Sequence, residues 1–303
     1  MNQTVVTRLE ATLEKYEISQ NRAAKDIGYS SPVISDYRGG KYKGDVDKLE
    51  EAIIKWIARV EQAHARKKVD IVETDALTKI TNAIALAHSE KDIALIVDDA
   101  GAGKSTAAKW YADRNPRTTI LVNVVSGMNR KALVQELAKN IGVDIYRVPN
   151  QTLIQNVAAA LAERDMVIIL DEADNLKADA LEFSRRLVYD LGGSGLVLIG
   201  LPRLTGLIQN LKNDHRQLES RIGVYLPLCG LTKRDATKIA QSVWPSVGKE
   251  VVDAIYSISR TDVRQFTKII ERAQNTMAVS KIDECDLEVV EIAAQLVIRR
   301  NWR

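Results

Sequence analysis

Asp98-Asp99-Ala100-Gly101-Ala102-Gly103-Lys104-Ser105-Thr106 stands between an apolar run, Ile93 to Val97, and a helical pattern that opens at Thr106. A loop between strand and helix can wrap its backbone N–H groups around phosphate, and the helix N-terminus adds partial positive charge. In this spacing Lys104 reaches the outer phosphates and the Ser105 hydroxyl ligates Mg²⁺, while Gly101, Ala102, Gly103 and Thr106 complete the cradle. A second stretch, Val167-Ile168-Ile169-Leu170-Asp171-Glu172-Ala173-Asp174, reads as a buried strand ending in carboxylates. Asp171 suits the metal's water shell, and Glu172 can orient or deprotonate an attacking water. The two stretches predict a site that binds and hydrolyses a nucleoside triphosphate.

The P-loop pattern has a glycine where this chain has Asp98. The demand for positive φ falls more heavily on the glycines nearer the lysine, so the pattern tolerates the exchange. Asp171-Glu172-Ala173-Asp174 also has the form found in DEAD-box helicases. Neither a Ser-Ala-Thr nor a His-Arg-x-Gly-Arg pattern follows it, and the helicase reading is set aside.

A chain of 303 residues, 46% of them hydrophobic, can bury a sizeable core and divides into two or three domains. The net charge of +3 and pI near 8.7 neither demand nor exclude nucleic acid. Cys229 and Cys285 lack CxxC spacing and His64, His88 and His215 are scattered, which argues against a metal site built from them and fits a reducing cytosol. Charge is mixed through the first residues (Arg8, Glu10, Glu14, Lys15), unlike a signal peptide, and no apolar run approaches the ~20 residues of a membrane span. The expectation is a cytoplasmic protein, with no membrane partner.

Residues 1–62 read as all-helical, with apolar positions at helical spacing (Val6, Leu9, Leu13, then Leu49, Ile53, Ile57). Residues 63–76, rich in charge around Arg66-Lys67-Lys68, read as a linker. Residues 77–228 alternate between strands and helices, which implies an α/β fold with a parallel sheet covered on both faces. Strands are expected at Ile93–Val97, Thr119–Val125, Met166–Leu170, Leu196–Ile199 and Val224–Leu228, with helices between them, among them Ala178–Leu191. Residues 229–303 turn helical again and form a C-terminal lid.

Within the first part, Gln20 to Tyr37 fits a helix-turn-helix. Ala24 is small where two helices cross, Gly28 permits a left-handed turn, and Ile27 and Ile34 face the core. Ser31 is the expected cap of the second helix, with Pro32 in its first turn. That helix would present Ser30, Ser35 and Arg38 outward, and Lys41 and Lys43 offer cations for phosphates. This segment resembles the lambda-repressor-like DNA-binding domains. Modest charge and Asp36 on the reading helix point to largely sequence-independent binding of double-stranded DNA. The C-terminal Arg299, Arg300, Trp302 and Arg303 are read as a solvated end.

Arg221 precedes the last expected strand and Arg264 opens a helix of the C-terminal part. An arginine at the first place can project into a neighbouring subunit's phosphates; one on a lid can close on its own subunit's γ-phosphate. The constellation resembles the AAA+ ATPases. The resemblance implies ATP with Mg²⁺, Lys104 and Ser105 as Walker A, Asp171 and Glu172 as Walker B, Arg221 as arginine finger and Arg264 as sensor 2. The family's polar sensor 1 residue has no counterpart in Leu198-Ile199-Gly200-Leu201-Pro202, so slow turnover is expected.

A helix-turn-helix, a basic linker and a compact AAA+ module together resemble the target-DNA activators of Mu-like transposing phages. That resemblance implies self-association, as a homo-oligomer or filament, on DNA in the ATP state, delivery of that DNA to a transposase, and release on hydrolysis. Two other readings stay open at this point: a nucleotide-gated, sequence-specific transcriptional regulator, and a replication-initiator or helicase-loader ATPase.

Overall fold

The structure, a computed structural model, describes residues 2–65, 69–209, 218–280 and 282–297. The basic cluster 66–68, His215 and the terminal Arg299–Arg303 segment lie outside them. Two compact units divide the chain, Met1–Lys68 and Val69–Arg303.

The first unit holds α1 (Gln3–Lys15), α2 (Gln20–Ile27), α3 (Ser31–Arg38) and α4 (Val46–Ala65). Its core gathers Val6, Leu9, Ala24, Ile27, Ile34, Leu49, Ile53 and Ile57, joined by Tyr37 and Trp56. The Ser19 hydroxyl accepts from Arg22 N and starts α2; Gly28, at φ 92°, ends it with its N–H on Ala24 O. The cap of α3 is Ser30 rather than the expected Ser31. Ser31 is already helical, and its hydroxyl accepts from Gln20 Nε2 at 3.2 Å.

The second unit opens with residues 69–74, outside regular elements, then α5 (Asp75–Ser89). Most of the segment read as a linker is thus part of this unit: Val69 and Val72 pack against the C-terminal helices. There follow β1 (Ile93–Val97), α6 (Lys104–Arg114), β2 (Thr119–Asn123), α7 (Arg130–Ile141), α8 (Asn150–Ala162), β3 (Val167–Asp171), α9 (Ala178–Ser184), β4 (Gly195–Gly200), α10 (Arg203–Gln209) and β5 (Ile222–Pro227). Among the described residues the strands form one five-stranded sheet, ordered β2-β3-β4-β1-β5 and parallel throughout.

Alternate strand residues serve opposite faces, as the period of two requires. Leu95, Val97, Ile168, Leu170, Leu196 and Leu198 pack toward α7, α8 and α9. Ala94, Ile96, Val167, Ile169, Val197 and Ile199 pack toward α5 and α6. Strands β1, β3 and β4 are therefore buried on both sides and read as unbroken apolar runs. The edge strand β5 alternates, with Tyr225 exposed. The helix expected at Ala178–Leu191 is α-helical to Ser184 and π-helical from Arg185 to Leu191, where the buried Arg185 pairs with Glu182 and Asp190. The C-terminal helices α11 (Lys233–Val243), α12 (Lys249–Ser259), α13 (Val263–Ser280) and α14 (Leu287–Val297) enclose a separate core around Phe266, Ile255 and Ile270.

Gly195 starts β4 beneath the end of α5. A Cβ there would lie 2.3 Å from the Ala87 carbonyl oxygen, so helix or strand would have to move. Gly195→Ala should destabilise by about 1–3 kcal/mol, as overpacking does. Gly206→Ala, in open space on α10, should be neutral or stabilising. Calorimetric melting of the two variants beside the parent checks the contrast.

Candidate functional site

Because every strand is parallel, the carboxyl ends of β1, β3 and β4 share one edge, and the loops leaving them line one cavity of about 490 Å³. Gly101, Ala102, Gly103, Lys104, Ser105, Thr106, Asp171, Glu172 and Arg264 all line it. The sequence separates these residues widely; the fold brings them together.

The loop after β1 turns through Gly101 at φ 86° and Gly103 at φ 85°, a region open to glycine at little cost. Gly103 caps α6 with no side-chain hydrogen bond, so the helix start offers its backbone N–H groups to a ligand. Lys104 Nζ donates to the carbonyls of Asp98 and Asp99, each at 2.8 Å. Burial pushes its ammonium below the ordinary lysine range, and the carboxylates of Asp98, Asp171, Asp174 and Asp99 pull the other way. A buried cation at a helix start fits the phosphates of a nucleotide, whose negative charge would add to that pull.

Asp171 ends β3 buried, and its Oδ1 accepts from Glu172 N at 3.0 Å. Glu172 is exposed and holds φ 56°, a costly conformation for a side-chain-bearing residue of the kind that concentrates at functional sites. Its Oε2 accepts from Asn175 Nδ2 at 3.1 Å. The Ser105 hydroxyl and the Asp171 carboxylate are hard oxygen donors of the sort that hold Mg²⁺ while phosphates and water complete its shell. Apolar Ile71, Val72, Leu77, Leu231 and Ile239 wall the far side of the cavity, as the flat face of a base requires.

As the sequence implies, no polar side chain stands in Leu198–Pro202 at the end of β4. The chain turns at Pro202 into α10, and this turn carries Arg203 back to the cavity. Arg203 Nε donates to Asp174 Oδ2 at 2.6 Å. The signal was present as an arginine three residues past the strand, but its placement depends on a turn that spacing does not disclose.

Arg221 ends a short 3₁₀ turn before β5 and is not among the residues lining the cavity. Its guanidinium pairs with Asp190 and lies 5.9 Å from the Tyr189 ring centroid. In the first unit Ser30, Ser35, Lys41 and Lys43 are exposed. Arg38 departs from the outward placement: its guanidinium folds back onto Glu10 Oε1 at 2.9 Å and Gln20 Oε1 at 2.6 Å.

Asp98 has a defined task. Its Oδ2 accepts from Gly230 N at 2.9 Å, and the Gly101 carbonyl accepts from Val263 N at 2.9 Å. The phosphate loop is thereby bonded to both ends of the segment that opens the C-terminal helices. Asp98→Ala would leave the Gly230 N–H unpaired, at a cost of about 1.5–3 kcal/mol for a hydrogen bond to a charged group. The expected result is a lower melting temperature and weaker ATP binding together, read by calorimetry and nucleotide titration.

Comparison with known proteins agrees with this geometry. Residues 87–208 match the AAA domain family. The chain is 24% identical over 265 residues to the Mu-like prophage FluMu DNA transposition protein B of Haemophilus influenzae, covering 85% of this chain and 91% of that protein. It is 26% identical over 261 residues to the ATP-dependent target DNA activator B of Escherichia phage Mu, covering 83% and 81%. Among solved structures, the Aeropyrum pernix ORC2 protein superposes with a TM-score of 0.61 at 15% identity, over 78% of this chain and 72% of that one. The phosphate loop and the acidic strand end both lie within the matched AAA domain, residues 87–208, which hydrolyses ATP with Mg²⁺.

Proposed function

We propose that this ATPase serves DNA transposition: in its ATP state it assembles on target DNA, presents that DNA to a transposase, and leaves when ATP is hydrolysed. The observation that carries the reading is the convergence of Lys104, Ser105, Asp171, Glu172 and Arg264 on one cavity, in a chain similar over most of its length to a target DNA activator. In this scheme Lys104 and the start of α6 hold the β- and γ-phosphates. Ser105 and Asp171 hold Mg²⁺. Glu172 takes a proton from water as its oxygen attacks the γ-phosphorus and the bond to the bridging oxygen breaks, leaving ADP and phosphate. Arg264, at the start of α13, closes the lid on the γ-phosphate.

Ser30, Ser35, Lys41 and Lys43 are the DNA contacts of the first unit, and Arg38 joins them by exchanging Glu10 for a phosphate. Binding is largely independent of sequence, because cations on phosphates carry no base information. The test is nuclease footprinting on duplex DNA with ATP. Uniform coverage by the parent, none by Lys104→Ala and prolonged coverage by Glu172→Gln are expected. One protected operator would overturn the reading in favour of a sequence-specific regulator.

Arg221 acts in trans, on the nucleotide of a neighbouring subunit. Its position away from its own cavity supports this, and a guanidinium can pair with two phosphate oxygens and stays charged. Such arginines are worth on the order of a thousandfold in rate. Arg221→Ala should bind ATP yet lose DNA-stimulated hydrolysis. A mixture with Lys104→Ala should recover part of the activity, since each variant keeps the half-site the other lacks. Co-assembly without recovery would place the finger elsewhere, with Arg216, outside the described residues, as the next candidate.

A further inference from the structure

The end of β4 carries no polar side chain, and the packing explains why. A Cβ at Gly200 would lie 2.6 Å from Asp174 Oδ1 and 2.8 Å from Leu204 Cδ2, so a side chain there would have to displace both. The space is taken by Asp174, whose side chain is 3% exposed and whose Oδ1 accepts from Leu201 N at 3.2 Å. The other oxygen holds Arg203 by two points, Nε and the nearer terminal nitrogen, both at 2.6 Å. A two-point pair with a buried carboxylate fixes the plane of a guanidinium as well as its position.

Arg203 is nevertheless 60% exposed along its side chain and lines the same cavity as Lys104 and Glu172. Its Nη1 donates to no described residue. Asn175 stands between the arginine and the acid: its Oδ1 accepts from Arg203 at 3.4 Å, and its Nδ2 donates to Glu172 Oε2 at 3.1 Å and to the Val124 carbonyl at 3.2 Å. A continuous line of polar contacts runs from Asp174 through Arg203 and Asn175 to Glu172.

We propose that Arg203, braced by Asp174, faces the γ-phosphate from the β4 side and acts as a positioning residue, with Asn175 transmitting its position to the Glu172 carboxylate. The inference deepens the proposed reaction and rests on Glu172 as its base. A guanidinium set by a buried carboxylate favours the triphosphate over the diphosphate by charge, and holds Glu172 at one orientation through Asn175. The polar function on this side of the cavity has moved from the strand end to the first residue of the following helix.

Full-length Arg203→Ala, Arg203→Lys and Asn175→Ala test the idea, by steady-state ATP hydrolysis with duplex DNA and by titration with ADP and with adenylyl imidodiphosphate. Arg203→Ala should lower kcat on the order of 10²-fold, as loss of one preorganised donor does. It should also lose the preference for the triphosphate analogue while binding ADP as the parent does. Arg203→Lys should regain part of that preference through its charge but little of the rate. Asn175→Ala should lose rate with both affinities unchanged. A structural role would weaken both nucleotides alike, and that result, or parental kcat with parental preference in Arg203→Ala, overturns the proposal. If Arg203→Ala fails to fold, Asn175→Ala decides, because it leaves the ion pair intact: parental kcat there refutes the transmission. Lys104→Ala separates the two levels, since hydrolysis surviving in it would refute the cavity assignment itself.

Discussion

All five strands run in one direction, and this single constraint gathers the chemistry. A parallel sheet returns the chain through helices, so every strand ends at the same edge and every loop after a strand has access to one place. Residues 101–106, 171–175 and 200–203 meet because they follow β1, β3 and β4, which are neighbours in the sheet. The demand that these strands be buried on both faces makes them apolar almost throughout, and Asp98 and Asp171 mark where β1 and β3 reach the edge.

Much of this was legible because buried parallel strands leave so plain a trace. Ile93–Val97 was bounded correctly, and the other strands differ from expectation by one or two residues at their ends. The phosphate loop was legible for a related reason: glycine at positive φ next to a helix start has few other uses. Three features were not. The π-helical turn at Arg185–Leu191 keeps an apolar spacing that reads as α-helix, and its cause is a buried arginine needing both Glu182 and Asp190. The cap of α3 shifted by one serine because Ser31 is engaged by Gln20. The approach of Arg203 to the cavity was not legible, because it depends on the turn at Pro202 and on pairing with the buried Asp174.

Charge inside the cavity is balanced by geometry rather than by number. The carboxylates of Asp98, Asp99, Asp171 and Asp174 act on Lys104, and Glu172, Arg203 and Arg264 line the cavity with it. Left alone, such an excess of carboxylate would repel a triphosphate. The structure avoids this by occupying the acids: Asp98 holds Gly230 N, Asp171 holds Glu172 N, and Asp174 holds Leu201 N and Arg203. Three of these carboxylates are thereby turned to backbone or to a cation and Glu172 accepts from the Asn175 amide, while the N–H groups at the start of α6 remain free of side-chain caps.

The substitution of aspartate for the first glycine of the phosphate loop follows the same logic. That position needs no positive φ, for among its neighbours it is Gly101 and Gly103 that adopt it. A side chain can therefore stand there, and a carboxylate can do what glycine cannot: bind the chain where it leaves the sheet for the helical lid. A Cβ at Gly101 would collide with Asp262 Oδ1 at 2.0 Å, so lid and loop also touch without space between them. Two hydrogen bonds and one close contact join the loop that holds phosphates to the helices that carry Arg264. The loop cannot shift against these helices without breaking those bonds.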